Sequence, residues 1–144
     1  MASATYDNNN IFAKILRGEI PCQKVYEDDV ALAFMDIMPR ADGHVLVIPK
    51  APSRNILDAD PGALGALMAR VQTLARAVKT AVAAEGVMIL QCNEPAAGQT
   101  VFHLHFHILP CWSHVELRPH AGDMVSAEAL APIRDKIIAA LQAG

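Results

Sequence analysis

The chain carries three histidines at alternate positions, His103, His105 and His107, in the run His103-Leu104-His105-Phe106-His107-Ile108-Leu109-Pro110. These are half of its six histidines, gathered within five residues, a concentration that composition does not explain. Imidazole is the commonest metal ligand and the side chain that titrates nearest neutrality. Such a row therefore suits either of two chemistries: holding a cation, or acid, base and nucleophilic work by an uncharged ring. Solvated histidines on a sheet face are the inert alternative. Immediately upstream, Gly98-Gln99-Thr100-Val101-Phe102 offers backbone N–H groups, an amide and a hydroxyl, donors that suit phosphate oxygens.

The alternation with Leu104, Phe106 and Ile108 predicts a β-strand over His103 to Pro110 with one apolar face and one face of imidazoles. Burial of the apolar set fixes the register, since a one-residue slip would exchange the two faces. Other elements must support it. Ile11 to Arg17 reads as a short helix, with Asn10 as N-cap and Gly18 as stop. Val25 to Glu27 and Ala31 to Ile37 form a hairpin about Asp28-Asp29, with Asp36 at its end in a position to cap the turn to Pro39. Gly43 to Lys50 is a nearly continuous apolar strand that suits the centre of a sheet, with His44 at its start. Leu64, Leu67, Met68, Val71, Leu74, Ala75, Val78 and Val82 give Pro61 to Glu85 the spacing of a long amphipathic helix, capped by Asp60, ended by Gly86, with Met68 in the core. Val87 to Cys92 is a further strand that delivers Asn93 into the loop before the histidines. Ser126 to Gln142 is a last helix, with Pro132 near its first turn and Ile133, Ile137, Ile138 and Leu141 on one side.

A chain of 144 residues, 53% hydrophobic and 19% charged, suits one domain over 1–144, with a core over about 10–111 and an extension over 112–144. The net charge of −3 without any block of Lys or Arg argues against partners such as duplex nucleic acid or an anionic membrane. The N-terminal residues Met1 to Asn10 lack a secretory pattern and no apolar run is long enough to span a bilayer, so a cytoplasmic location is expected. Cys22, Cys92 and Cys111 are odd in number and widely spaced, which reads as free thiols.

Gly98 to Leu109, with its His-apolar-His-apolar-His-apolar-apolar pattern, resembles the signature of the histidine triad nucleotide-binding proteins. Asp36-Ile37-Met38-Pro39-Arg40-Ala41-Asp42-Gly43-His44-Val45-Leu46-Val47-Ile48-Pro49-Lys50 resembles that family's second signature. The resemblance implies an α+β fold: about five mainly antiparallel strands, one face covered by the short and long helices and the other facing the ligand. It also implies a homodimer that joins sheets across the long helix and the following strand. It makes His105 the nucleophile, with His103, His107 and His44 completing the catalytic set. Phe12, Ile15, Phe34, Ile37 and Leu46 then fall to the base side of a purine nucleotide, Asp36 to the ribose hydroxyls, and Asn93, Gly98, Gln99 and Thr100 to the sugar and phosphates. Relatives that hold structural zinc carry a Cys-x-x-Cys near the first helix and a histidine after the strand-ending Pro-Lys. Here those stretches read Asn9-Asn10-Ile11-Phe12-Ala13 and Lys50-Ala51-Pro52, so neither metal nor cofactor is expected.

The activity so implied is hydrolysis of purine nucleoside monophosphate conjugates, phosphoramidates such as adenosine phosphoramidate or aminoacyl-AMP, through a covalent nucleotidyl-histidine. A dinucleoside polyphosphate hydrolase of the fragile-histidine-triad type, a nucleotide-binding module with incidental catalysis, and a metal-dependent hydrolase remain the alternatives.

Overall fold

Ala31–Met35 and Val45–Pro49 are buried along their whole length, and so is all but the last residue of Phe106–Cys111. Successive side chains of a strand point to opposite faces, so such runs require cover on both sides. The computed structural model, which describes residues 5–144, supplies that cover. Its helices are α1 (Ile11–Leu16), α2 (Pro61–Ala81) and α3 (Ala127–Ala143). Its strands are β1 (Lys24–Glu27), β2 (Ala31–Met35), β3 (Val45–Pro49), β4 (Gly86–Leu90) and β5 (Phe106–Cys111). The strands form one sheet in the order β1-β2-β3-β5-β4, with every pairing antiparallel. This is the α+β architecture expected from the sequence. The reading of Met1 to Asn10 rests in part on residues 1–4, which lie outside the described residues. No helix among the described residues is long and apolar enough to cross a membrane.

The alternation along each strand divides the core in two. Ala33, Met35, Val45, Val47, Phe106 and Ile108 face Leu67, Val71, Leu74 and Val78 of α2 and Leu130 and Ile137 of α3. Leu32, Phe34, Leu46 and Ile48 face the other way, against Phe12 of α1. The expectation that both the short and the long helix cover one face is therefore corrected: α3 takes the place beside α2, and α1 lies on the opposite face. Its ring of Phe12 meets Phe34 edge-on, with centroids 5.4 Å apart.

Several boundaries also move. Asp60 caps α2 by accepting from the Ala63 N–H at 2.9 Å, as expected, but the helix ends at Ala81 rather than Glu85. Ala83 adopts a left-handed φ of 52° that breaks the helix, and Gly86 opens β4 instead of closing α2. Met68, expected in the core, is 39% exposed, while Leu67 beside it is fully buried, since one residue is about 100° of helical turn. Pro132 lies inside α3, beyond its first turn and on its exposed side, where it has no N–H to return to the preceding turn.

The histidine strand begins at Phe106, not at His103. β3 pairs with β5 from Val45–Ile108 to Val47–Phe106, and the ladder stops there. Pro49 has no N–H to donate onward, and its carbonyl accepts from the His103 ring at 2.8 Å. The Leu104 N–H turns instead to the Ser53 carbonyl at 2.9 Å. Two of the three histidines thus sit ahead of the ladder.

Because α3 fills the core beside α2, Ile137→Ala, at a site with no exposure, is expected to lower unfolding free energy by about 2–5 kcal/mol. Urea denaturation measures it. A change below about 0.5 kcal/mol would mean that the helix is an appendage.

Candidate active site

The sheet face that carries α1 is partly uncovered and forms a cleft. Register sets its floor: Phe34 of β2 lies opposite Leu46 of β3, and Leu46 lies opposite His107 of β5, so an apolar strip runs directly into an imidazole. Ile11, Phe12, Ile15 and Val101 extend the apolar end, and Ile37 lies at the rim, 45% exposed. Asp36, His44, Thr100, His105 and His107 form the polar end. Phe12 bridges the two ends, with its ring 4.9 Å from that of His105 and nearly perpendicular to it.

The hydrogen bonds fix where each ring carries its proton. A backbone carbonyl only accepts, so His105, with Nδ1 2.7 Å from the His103 carbonyl, carries its proton on Nδ1 and leaves Nε2 as a lone pair. His103 likewise donates Nε2–H to the Pro49 carbonyl, and its Nδ1 accepts from the Tyr6 hydroxyl at 2.6 Å. The Arg40 N–H points at His44 Nδ1 from 3.1 Å, so the His44 proton sits on Nε2 and is donated to His107 Nδ1 at 2.9 Å. His107 then carries its own proton on Nε2. Two adjacent rings in one cleft therefore present opposite functions, a lone pair on His105 and an N–H on His107.

This reading requires neutral rings, and burial makes them so. Removal from water disfavours the imidazolium, pushing His44 and His107 down to about 3 and lowering His103 and His105 as well. Burial acts in the opposite sense on Asp36, whose carboxyl is raised. Its Oδ1 accepts from the Met38 N–H at 2.8 Å, so Asp36 caps its turn, while Oδ2 approaches His44 Nε2 at 3.4 Å. With His44 uncharged, that contact is not an ion pair.

Asp36, His44 and His107 bring ligand atoms within 4.8 Å of one another, a spacing that would suit a cation. The proton positions oppose it. His44 Nε2 already bears a hydrogen for as long as Arg40 holds Nδ1, and a protonated nitrogen has no lone pair for a metal. His44 and His107 are hydrogen-bonded to each other, with the Asp36 carboxylate standing 3.4 Å from His44.

The loop before the histidines divides its residues. Thr100 faces the cleft, whereas Asn93, Gly98 and Gln99 do not line it. Gln99 is buried and satisfied: its amide donates to the Arg54 and Val101 carbonyls, and its oxygen accepts from the Glu94 N–H and Asn55. Asn93 accepts from the Ile56 N–H at 2.9 Å and exchanges hydrogen bonds with Gln91. Both brace the loop that presents Thr100. His103 also stands behind the cleft, entirely buried. Sequence reasoning missed two residues that the structure brings in: Tyr6, behind His103, and His120, on the cleft wall. Neither belongs to a periodic or motif-bearing stretch that would have marked it.

An open antiparallel sheet, one face packed by two helices and the other holding a cleft of backbone-oriented imidazoles, defines a histidine triad domain. The chain belongs to the HIT family, whose HIT domain matches residues 17–114. It is 37% identical over 125 residues to adenylylsulfatase HINT3 of Arabidopsis thaliana, covering 83% of this chain but only 64% of that protein's length. An uncharacterized HIT-like protein of Synechococcus elongatus is 45% identical over 104 residues, covering 70% of this chain and 89% of the other. Among solved structures, a Hit-like protein involved in cell-cycle regulation from Bartonella henselae superposes with a TM-score of 0.89 at 53% identity, covering 94% of this chain and 99% of that one. A zinc-bound histidine triad family protein from Mycobacterium smegmatis reaches a TM-score of 0.82 at 31% identity, covering 94% of both chains.

Stability should fall as pH drops from the ordinary histidine value of about 6.5 towards the depressed values near 3 of His44 and His107. In that window the unfolded chain binds protons that the folded rings refuse, and each ring can contribute up to about 1.4 kcal/mol per pH unit. Asp36, raised in the fold, opposes the trend. Urea midpoints at pH 7 and pH 5 test this: the midpoint at pH 5 is expected to be lower, and equal midpoints would mean that the rings take protons within the fold.

Proposed function

We propose that this protein hydrolyses conjugates of purine nucleoside monophosphates at the α-phosphorus, phosphoramidates and aminoacyl-adenylates among them, through a nucleotidyl-histidine on His105. The observation that carries this reading is the Nδ1 hydrogen bond from His105 to the His103 carbonyl, which leaves Nε2 unprotonated beside the His107 N–H. An uncharged nitrogen attacks phosphorus in line, the bond to the leaving group breaks with its electron pair, and water then cleaves the N–P bond to release the nucleotide. The His103 carbonyl stabilises the positive charge that the ring acquires on attack. The His107 N–H and the Thr100 hydroxyl meet the phosphate oxygens, where a single well-placed donor is worth on the order of 3 kcal/mol.

The strip of Phe12, Ile15, Phe34 and Leu46 suits the flat face of a base. Asp36, acceptor-only when ionised, suits the ribose hydroxyls through Oδ2. Kinship with a protein named adenylylsulfatase supports chemistry on an adenylyl group. No step requires a metal. Incubation with adenosine phosphoramidate followed by rapid alkaline quench and mass spectrometry is expected to find AMP on His105. His105→Ala should lose at least 10³-fold in turnover, on the order seen when a nucleophile is removed, and excess chelator should change nothing. Full activity in that variant would sink the proposal.

The same reading includes a two-fold dimer that joins β4 edges. β4 is an outer strand, and Met88 and Ile89 on it are 44% and 42% exposed, alongside Met68 of α2 at 39%. An exposed apolar edge strand of this kind invites pairing. Light scattering should give twice the 15.5 kDa chain mass, and Ile89→Asp should reduce it to one chain. A monomeric native protein would refute the dimer.

A further inference from the structure

After β5 the chain runs along one wall of the cleft as a strap that is anchored on both sides of His120. On one side the Arg118 N–H donates to the Arg40 carbonyl at 2.8 Å, Arg40 Nε donates back to the Arg118 carbonyl at 3.0 Å, and Arg118 pairs with Asp42 at 2.6 Å. On the other, the Val125 N–H donates to the Ile37 carbonyl at 2.8 Å. Both anchors grip the connection between β2 and β3, whose ends carry Asp36 and His44. The stretch between them places His120 and Ala121 on the cleft wall.

We infer that His120 contacts the leaving group of the substrate and favours leaving groups that are oxyanions. The inference rests on the nucleotidyl-transfer reading above. In-line displacement drives the leaving group away from His105, hence away from the sheet and towards whatever covers it. Of the residues around the polar end, His120 is the imidazole contributed by the strap. Among the described residues its ring makes no hydrogen bond or ion pair, so its ring nitrogens are open to a ligand. It lines the same cleft as Asp36, His44, His105 and His107, which puts it beside the reacting atoms. Arg40 adds fixed positive charge to the same region, felt at His44 and His107. The carboxylate of Asp36 already has one oxygen engaged by the Met38 N–H. Imidazole and guanidinium donors suit sulfate or phosphate oxygens and suit an amine poorly. When an oxyanion leaves, the His105 Nε2–P bond forms as the bridging P–O bond breaks. The electron pair departs on oxygen, and sulfate needs no proton to leave.

The test compares kcat/KM for adenosine 5′-phosphosulfate, ADP and adenosine phosphoramidate in the native protein, His120→Ala and His120→Gln. His120→Ala should lose roughly tenfold on one or both oxyanion substrates, the size of one hydrogen bond to a charged group, while phosphoramidate changes less than twofold and His120→Gln recovers part of the loss. The substrate that responds identifies the oxyanion. Equal losses on all three substrates, or no loss on either oxyanion substrate, would overturn the inference. If the native protein turned over none of them, the functional reading would fail separately. Calorimetric binding to His105→Asn would still decide the role of His120: adding His120→Ala must weaken adenosine 5′-phosphosulfate selectively over the phosphoramidate, and equal weakening would refute it.

Discussion

The position of one proton governs the site. His105 donates Nδ1–H to the His103 carbonyl, and a neutral imidazole that donates at one nitrogen must offer a lone pair at the other. The rest of the structure keeps that bond in place. His103 is held by its own ring, pinned between the Pro49 carbonyl and the Tyr6 hydroxyl, so the carbonyl it offers to His105 has little freedom. A second chain, from the Arg40 N–H through His44 to His107, sets the opposite polarity on the neighbouring ring. Burial keeps all four rings uncharged, without which neither chain would have a defined direction.

The sheet makes this arrangement possible because its central strands are apolar on both faces. Odd-numbered residues of β2 and β3 anchor α2 and α3, and even-numbered residues form the floor of the cleft. Binding surface and core are two sides of the same five-residue strands. Phe34, Leu46 and His107 stand in one cross-strand row only because the register that buries Ala33, Val47 and Phe106 is kept.

Much of this was legible in the residues themselves. Alternation at Leu104, Phe106 and Ile108 and helical spacing from Leu64 to Val78 are strong signals because each is enforced by burial of a whole face. What escaped was decided by single backbone groups and by contacts distant in sequence. The early end of the ladder depends on Pro49 lacking an N–H and on a ring from residue 103 reaching its carbonyl. α1 and α3 take opposite faces of the sheet, which no spacing within either helix announces. Gln99 has a donor's chemistry in sequence, yet the structure uses it inside the loop that presents Thr100, and no periodicity reports such a choice. Tyr6 and His120 approach the histidines from the two ends of the chain, where neither spacing nor motif marks them.

The two anchors of the strap include hydrogen bonds between main-chain groups, Arg118 to Arg40 and Val125 to Ile37, which any residue but proline at the donor position can make. Side chains between those points are therefore released from the task of holding the segment in position. If His120 sets the leaving group as proposed, mutational drift there retunes what the protein accepts without disturbing how it reacts, and selectivity and reactivity become separable by inheritance within one small chain.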